Sequence, residues 1–416
     1  MLDVSECSKL ESFPEEIGDL EKLERLNAWD TLISRPPSSI VRLNKLKFLT
    51  FRKEESEDEV YFVFPQVNEG LSSLEELHLC NCNIIDGGLP EDIGSLSSLK
   101  KLDLSGNKFE HLPRSIAQLT ALQTLYLSWC NRLQELPDFT GMPSLDILGL
   151  NCCNISDGGL PEHIGCLSFL TTLTLTGNNF EYLPRSIAQL GALKWLDISG
   201  CQNLTQLPEF PQQLHTIDAS WRNDSICNSL FQNMSSLQHD ISTSNSLSLR
   251  VLTSKGNIPS WFHHRGTGTS VIVNLPENWY VRDNFLGFAV CYSGRLFDIT
   301  ANLIPLCDDE MSLMTQNLAL SNHSLRFPSA AIHFFLVPLA ALWDTSKANQ
   351  KTPNDYGIIT LSFLRETKNY GFRLLYKDEA KVKALLQIRR SSDELRKNSV
   401  NNEASCSSYK KQRSHF

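Results

Sequence analysis

LKKLDLSGNKFEHLP, residues 99–113, returns further along the chain as LTTLTLTGNNFEYLP, residues 170–184. Both open on L-x-x-L-x-L and place an asparagine three residues after the last leucine. The same phase starts at Leu23, Leu46, Leu74, Leu99, Leu122, Leu145, Leu170 and Leu193, with a degenerate copy, LHTIDA, at Leu214; the spacings are 23, 28, 25, 23, 23, 25, 23 and 21 residues. Upstream, Leu2, Val4 and Cys7 fit positions four, six and nine of one more copy. A unit this short cannot bury its apolar face alone, so the copies must stack on one another. The period predicts an α/β leucine-rich-repeat solenoid over residues 1–224, a horseshoe of short strands and turns whose strands line a concave wall.

Successive side chains of a strand point to opposite faces. Leu99, Leu102 and Leu104 therefore go inward, while Lys101, Asp103 and Ser105 face the concave surface. By the same alternation the other concave sets are Arg25, Asn27 and Trp29; Phe48, Thr50 and Arg52; Glu76, His78 and Cys80; Thr124, Tyr126 and Ser128; Ile147, Gly149 and Asn151; Thr172, Thr174 and Thr176; Trp195, Asp197 and Ser199. Aromatics among small polar residues suit protein recognition better than a catalytic cleft. A solvated sheet face with stray aromatics is the alternative. Trp29, Arg52, His78, Lys101, Asp103, Tyr126, Thr172, Thr174, Trp195 and Asp197 are the candidate partner-binding residues.

Position nine holds Cys82, Asn107, Cys130, Cys153, Asn178 and Cys201, and Cys7 in the upstream copy. A small side chain there can bond the backbone of the neighbouring turn. The cysteines read as a ladder of buried, reduced thiols, which suits a cytosolic compartment. No C-x-x-C pair has the partner spacing of a zinc site. A larger unit is also duplicated: Asn83, Asp86, Leu99, Asn107 and Pro113 correspond to Asn154, Asp157, Leu170, Asn178 and Pro184, and LPRSIAQL occurs at both Leu112 and Leu183. Concave positions differ between the copies far more than buried ones. One repeat is stretched by KEESEDEVYFVFPQ, residues 53–66, whose acidic run reads as a solvated loop, with a site for a cation or basic partner as the alternative.

After Trp221 the leucine period stops. Residues 225–248 read as a connector in which Ile226, Leu230, Phe231 and Met234 have the spacing of a short capping helix that packs between the two halves. Over residues 249–390, apolar runs near Leu247, Val271, Phe285, Ile332, Ile358 and Phe372 alternate with turn residues, the pattern of an all-β sandwich. Residues 391–416 are polar and predict a disordered tail. The opening repeat lacks its first leucine and a polar cap, which predicts that the chain is the C-terminal part of a longer protein or the product of a degenerate gene.

The chain of 416 residues carries a net charge of −9. Residues 1–224 hold 17 Lys and Arg against 32 Asp and Glu, a net −15, whereas residues 225–416 hold 21 against 15, a net +6. An acidic solenoid repels phosphates, so nucleic acid is not an expected partner, and basic protein surfaces are. No run of apolar residues is long enough for a membrane span, and the N-terminal stretch from Met1 to Asp30 holds no signal-peptide core. No P-loop, nucleophile elbow or H-E-x-x-H helix occurs. The glycines of RGTGTS at Gly266 and Gly268 read as a turn, His263 and His264 as a turn flank, and Asp308, Asp309 and Glu310 as a solvated loop. No nucleophile, base and oxyanion donor converge, so no catalytic site, cofactor, metal or small-molecule substrate is expected.

Residues 256–292, GNIPSWFHHRGTGTSVIVNLPENWYVRDNFLGFAVCY, closely resemble the opening of the C-JID jelly-roll domain of plant intracellular TIR-NB-LRR immune receptors. The matching marks are Ile258, Pro259, Trp261, Phe262, Leu275, Pro276, Trp279, Gly287, Phe288, Ala289, Val290 and Cys291, with GFRLLY at 371–376 as a closing strand; SGCQNLTQLP is similar to the family's repeat phrasing. The resemblance implies a jelly-roll-like β-sandwich and the sensing end of an immune receptor, cytoplasmic and extending to the nucleus. It implies that repeats and C-JID grip a pathogen effector and hold signalling domains off, with intact receptor chains of the same family as further partners. The family's NAD-cleaving TIR domain and ATP-dependent switch have no counterpart in these residues, so no enzymatic activity is expected. An extracellular leucine-rich-repeat receptor or inhibitor is the alternative reading, favoured by sequons such as Asn223 and Asn233 and opposed by the cysteine ladder.

Overall fold

The computed structural model describes the chain apart from residues 54–59, 69, 212, 215, 220–248, 254–257, 259–261, 283, 294–298, 307–312, 319–331, 338, 345 and 377–416. The acidic run, the capping-helix stretch, Pro259, Trp261, the Asp308–Glu310 cluster and the polar tail lie outside the described residues. Two compact units emerge: Met1–Trp261 with Cys291–Arg295 and Ser324–Phe335, and Phe262–Val290 with Leu296–His323 and Leu336–Phe416.

In the first unit every repeat contributes one short strand: β1 (Leu2–Asp3), β2 (Arg25–Asn27), β3 (Phe48–Thr50), β4 (Glu76–His78), β5 (Lys101–Asp103), β6 (Thr124–Tyr126), β7 (Ile147–Gly149), β8 (Thr172–Thr174), β9 (Trp195–Ile198) and β10 (Thr216–Ala219). They form one parallel ladder without slippage, Leu2 to Leu26, Leu49, Leu77, Leu102, Leu125, Leu148, Leu173, Leu196 and Ile217. All of these but Leu2 are buried. β11 (Leu249–Thr253) continues the ladder beside β10, so the run expected to open the sandwich extends the repeat sheet.

Opposite the strands, 3-10 turns such as Glu15–Asp19, Arg114–Gln118 and Arg185–Gln189 follow prolines. Proline fixes φ, and its carbonyl accepts the first turn's bond: Ile116 N–H donates to Pro113 at 3.0 Å and Ile187 N–H to Pro184 at 3.2 Å. Neighbouring turns pack backbone to backbone. A Cβ on Gly94 would stand 2.1 Å from the Ser115 carbonyl, so only glycine fits there.

Position nine locks each turn to the next. Asn107 Nδ2 donates to the carbonyls of Leu79 and Leu104 at 2.8 and 2.7 Å, and its Oδ1 accepts from Ile84 N–H at 3.0 Å. Asn178 repeats this with Leu150, Leu175 and Ile155 at 2.7, 2.7 and 3.1 Å, and its Oδ1 also accepts from Cys153 N–H at 3.1 Å. Where cysteine replaces asparagine the thiol makes a donor bond: Cys82 to Phe51, Cys130 to Leu104, Cys153 to Leu127 and Cys201 to Leu175, at 3.2, 3.3, 3.0 and 3.2 Å. These four are buried as expected, but Cys7 is exposed. In the stretched repeat, Phe62 and Phe64 return to the core, with the Phe51 and Phe62 rings 5.3 Å apart.

The second unit is a curled antiparallel sheet. β12 (His264–Asn274) and β14 (Ile299–Pro305) pair on either side of the first half of β17 (Tyr356–Tyr376), and β15 (Met314–Leu318) pairs with β14. β13 (Phe285–Ser293) also pairs with β17, and β16 (Ile332–Val337) has four of its six residues in the first unit. The runs expected as separate strands near Ile358 and Phe372 are one strand of 21 residues, because bulges between Gly266 and Ser270 let β12 follow it round the curl. Gly266 and Gly268 thus lie inside a strand, not in a turn; Gly268 has φ +122°, and a Cβ on Gly266 would collide with the Tyr370 ring. His264 likewise begins β12 opposite Phe372 instead of flanking a turn. β14 and β15 carry residues such as Asn302 and Gln316 that break the apolar run, which hid them from the sequence pattern.

Trp279 anchors this core, 5.0 Å from the Phe285 ring and 5.4 Å from Phe288. Its Nε1 donates to the Tyr356 carbonyl at 2.9 Å, and its own carbonyl accepts from the Tyr376 hydroxyl at 2.7 Å. Ile258, Phe262, Leu275, Trp279, Gly287 and Phe288 are buried and Pro276 is exposed. The motif that carries the resemblance is therefore a packing motif.

Candidate recognition surface

The ladder register lines the concave residues up in rows across the repeats. The first row runs Arg25, Phe48, Glu76, Lys101, Thr124, Ile147, Thr172 and Trp195; the second runs Asn27, Thr50, His78, Asp103, Tyr126, Gly149, Thr174 and Asp197. Most of these side chains are half-buried because each leans on the next repeat. Trp29, Tyr126 and Trp195 lie on this face and are half-buried.

Three local groups divide the face. At the first repeats the Arg25 guanidinium stacks 4.0 Å above the Phe48 ring, Phe48 lies 5.4 Å from His78, and His78 Nε2 meets Glu76 Oε2 at 3.2 Å. In the centre, Lys101 Nζ is 6.0 Å from the Tyr126 ring, and that ring occupies the space where a Cβ on Gly149 would stand, 2.6 Å from its Cδ1. Gly149 therefore lets Tyr126 lie across the face. Burial, then the Asp103 carboxylate, pushes the Tyr126 hydroxyl pKa up, so it stays a neutral donor. At the last repeats Trp195 Nε1 donates to Asp218 Oδ2 at 2.8 Å, and Asp197 Oδ1 accepts from Ser199 N–H at 2.9 Å. Thr172 and Thr174 form a small, flat step between the centre and this end. Arg52, one place beyond β3 on the same face, is exposed.

Trp129 is not among the residues that strand alternation picks out. Position eight of the repeats turns through left-handed backbone at Gly106, Gly177 and Gly200, at φ +71°, +69° and +72°; Trp129 does the same at φ +66° with its side chain 65% exposed. An indole is among the least suited side chains for that region. The signal is nevertheless in the sequence, because the duplicated block places Gly200 at the position that Trp129 fills in the earlier copy. Among the described residues no group of three or more His, Cys, Asp or Glu could hold a metal ion, and no helix is long and apolar enough to cross a membrane.

Residues 253–381 match the C-JID domain, and residues 72–133 and 192–214 match the leucine rich repeat. Over 94% of its length the chain is 54% identical to TMV resistance protein N of Nicotiana glutinosa, covering 31% of that protein. The chain carries leucine-rich repeats and a C-JID domain and is similar over these to a TIR-NB-LRR disease resistance protein. It is also 29% identical over 70% of its length to the disease resistance-like protein DSC1 of Arabidopsis thaliana, covering 21% of it. The chain thus spans under a third of the length of the curated relatives it matches. The solved TDR receptor aligns over 52% of the chain and 42% of its own, at 28% identity and a TM-score of 0.40. The domains matched are repeats and C-JID, with no TIR or nucleotide-binding domain among them.

Proposed function

We propose that this chain is the recognition region of a plant intracellular immune receptor and that its concave face, together with the C-JID domain, binds a pathogen effector protein. The observation that carries the reading is the contrast inside the duplicated block. Corresponding bonds of Asn107 and Asn178 have nearly the same lengths, 2.8, 2.7 and 3.0 Å against 2.7, 2.7 and 3.1 Å. On the face, by contrast, Lys101, Asp103 and Tyr126 give way to Thr172, Thr174 and Asp197. A fixed scaffold bearing a changed surface suits selection for partners. Thiols that act as hydrogen-bond donors in the core support a reducing, cytoplasmic setting, extending to the nucleus.

Because a relative is named for tobacco mosaic virus resistance, that virus's proteins are the first panel to test by calorimetry against the purified chain. One should bind, and Trp29→Ala, Tyr126→Ala and Trp195→Ala should each weaken it by about 30-fold, the scale of an aromatic hot spot, without altering far-UV dichroism. A bound effector indifferent to all three variants would remove the concave face from the reading.

A further inference from the structure

The repeats of β2 and β3 hold a set of hydrogen-bond donors that no acceptor among the described residues answers. Trp29 Nε1 is closed off from solvent and has no hydrogen-bond partner among them. An orphaned buried donor costs about 1–3 kcal/mol, so its retention calls for a cause. Beside it on the next strand lies Arg52: Ala28 N–H donates to Thr50 at 3.0 Å and Asp30 N–H to Arg52 at 2.8 Å, so the register of β2 and β3 persists to Trp29 and Arg52. Arg52 is exposed and its side chain makes no ion pair or hydrogen bond among the described residues, in contrast to Arg42 with Asp19, Lys47 with Glu24 and Lys100 with Glu75.

Arg25, four residues before Trp29 on the same face, is also exposed and has no ion pair among the described residues, and its guanidinium is stacked on Phe48. Stacking fixes the plane of the guanidinium and leaves its N–H edge free. That arrangement lowers the entropy lost when the fork closes on a planar acceptor. The acidic side chain nearest in the rows is Asp3, opposite Asn27, and its Oδ1 already accepts from Ser5 N–H at 3.0 Å and Ser5 Oγ at 2.7 Å; Glu76 is engaged by His78.

We propose that Arg25, Trp29 and Arg52 form a carboxylate-binding subsite that takes an Asp or Glu side chain of the protein partner. The proposal rests on the recognition role of the concave face and gives that role a chemistry at one end of it. Two guanidinium forks match carboxylates in bidentate geometry. A carboxylate is favoured over a phosphate because the repeats carry a net −15, which opposes a dianion more than a monoanion. A partner that is basic over much of its surface, as the acidic solenoid favours, would thus have to offer one acidic residue at the first repeats. The subsite then selects orientation and identity, not bulk charge. Arg52 is exposed and available to the incoming carboxylate, which supplies the acceptor that Trp29 Nε1 lacks.

The test uses the full chain, labelled with nitrogen-15, and three extended Gly-Ser peptides carrying Glu, Gln or Lys at the same sites. The Trp29 indole N–H resonance, assigned with Trp29→Phe, should move downfield on titration with the Glu peptide and stay in place with the Gln and Lys peptides. Arg25→Gln with Arg52→Gln should cut the affinity for the Glu peptide at least 10-fold while leaving the other indole resonances unmoved. An unmoved Trp29 signal, or an equal response to the Glu and Gln peptides, would overturn the subsite. Effector binding that still depends on Tyr126 and Trp195 would in that event leave the recognition role standing.

Discussion

A single left-handed tryptophan sets two energies against each other. Holding Trp129 at φ +66° costs about 1–2 kcal/mol, and glycine would remove that strain while adding about 0.5–1 kcal/mol of unfolded-chain entropy. The strain is the larger, so Trp129→Gly should raise stability slightly, by up to about 1 kcal/mol, in thermal or urea denaturation. If the exposed indole serves recognition, the same variant should lose partner affinity. A variant that is both less stable and fully competent in binding would refute both halves. His111 gives a second residue-scale test. Its Nδ1 lies 3.0 Å from Asp86 Oδ2, and this hydrogen bond raises the His111 pKa and lowers that of Asp86. The His111 contribution is complete below about pH 6.5 and is lost as pH rises through the raised folded value; that of Asp86 is present above about pH 4 and is lost as pH falls through the lowered one. His111→Gln should therefore lower the melting temperature most between about pH 4.5 and 6, with no difference near pH 9. Its counterpart Tyr182 keeps only the backbone bond to Asp157 Oδ1, at 3.2 Å, and Tyr182→Gln should show no such pH dependence.

At the scale of the element, the position-nine ladder was legible and its exception was not. The sequence spacing placed Cys82, Cys130, Cys153 and Cys201 inside, and burial pushes Cys130 up to about 12 and Cys153 and Cys201 up to about 11. Cys7 obeys the same spacing yet is exposed. Iodoacetamide at pH 8 should alkylate Cys7 and Cys166 in the folded protein and leave the four ladder thiols unmodified by peptide mass mapping; rapid labelling of Cys130 would contradict the ladder. The thiols also set an alkaline limit. Unfolded cysteines ionise near pH 9 while the folded ones resist, so the stability they lend is present below that pH and falls as pH climbs toward 11–12. The strands of the repeats were readable because one leucine phase fixes register from copy to copy. Those of the curled sheet were less so: Gly266 and Gly268 look like turn residues in sequence, and their use as bulges depends on pairing with Thr367 and Tyr370, far along the chain. On the concave face the alternation gave the right side of the sheet for Tyr126 and Trp195, but not that Gly149 makes room for one ring and Asp218 holds the other.

For the whole molecule, the duplication makes the solenoid a physical sum of interchangeable layers. Each repeat touches its neighbours alone, so stability is set by repeat and interface energies in sequence. Removing residues 99–169 would join Ser98 to Leu170 and set β8 against β4 in place of β5. The junction is already specified by matching contacts. Asn178 would find the Leu79 carbonyl and Ile84 N–H where it now finds Leu150 and Ile155, the partners Asn107 uses at 2.8 and 3.0 Å. Asp86 would accept from Glu181 N–H as it now does from Glu110 at 2.6 Å, and as Asp157 does from Glu181 at 2.8 Å. The shortened chain should express as a folded protein with a cooperative melt, the repeat sheet's dichroism per residue retained, and a lower midpoint from the lost interfaces. It should also lose any partner that depends on Tyr126, because the deletion takes the centre of the face with it. Non-cooperative melting of a soluble product would mean that the two copies are not equivalent layers, and that the matching bond sets at Asn107 and Asn178 are not sufficient to join distant repeats.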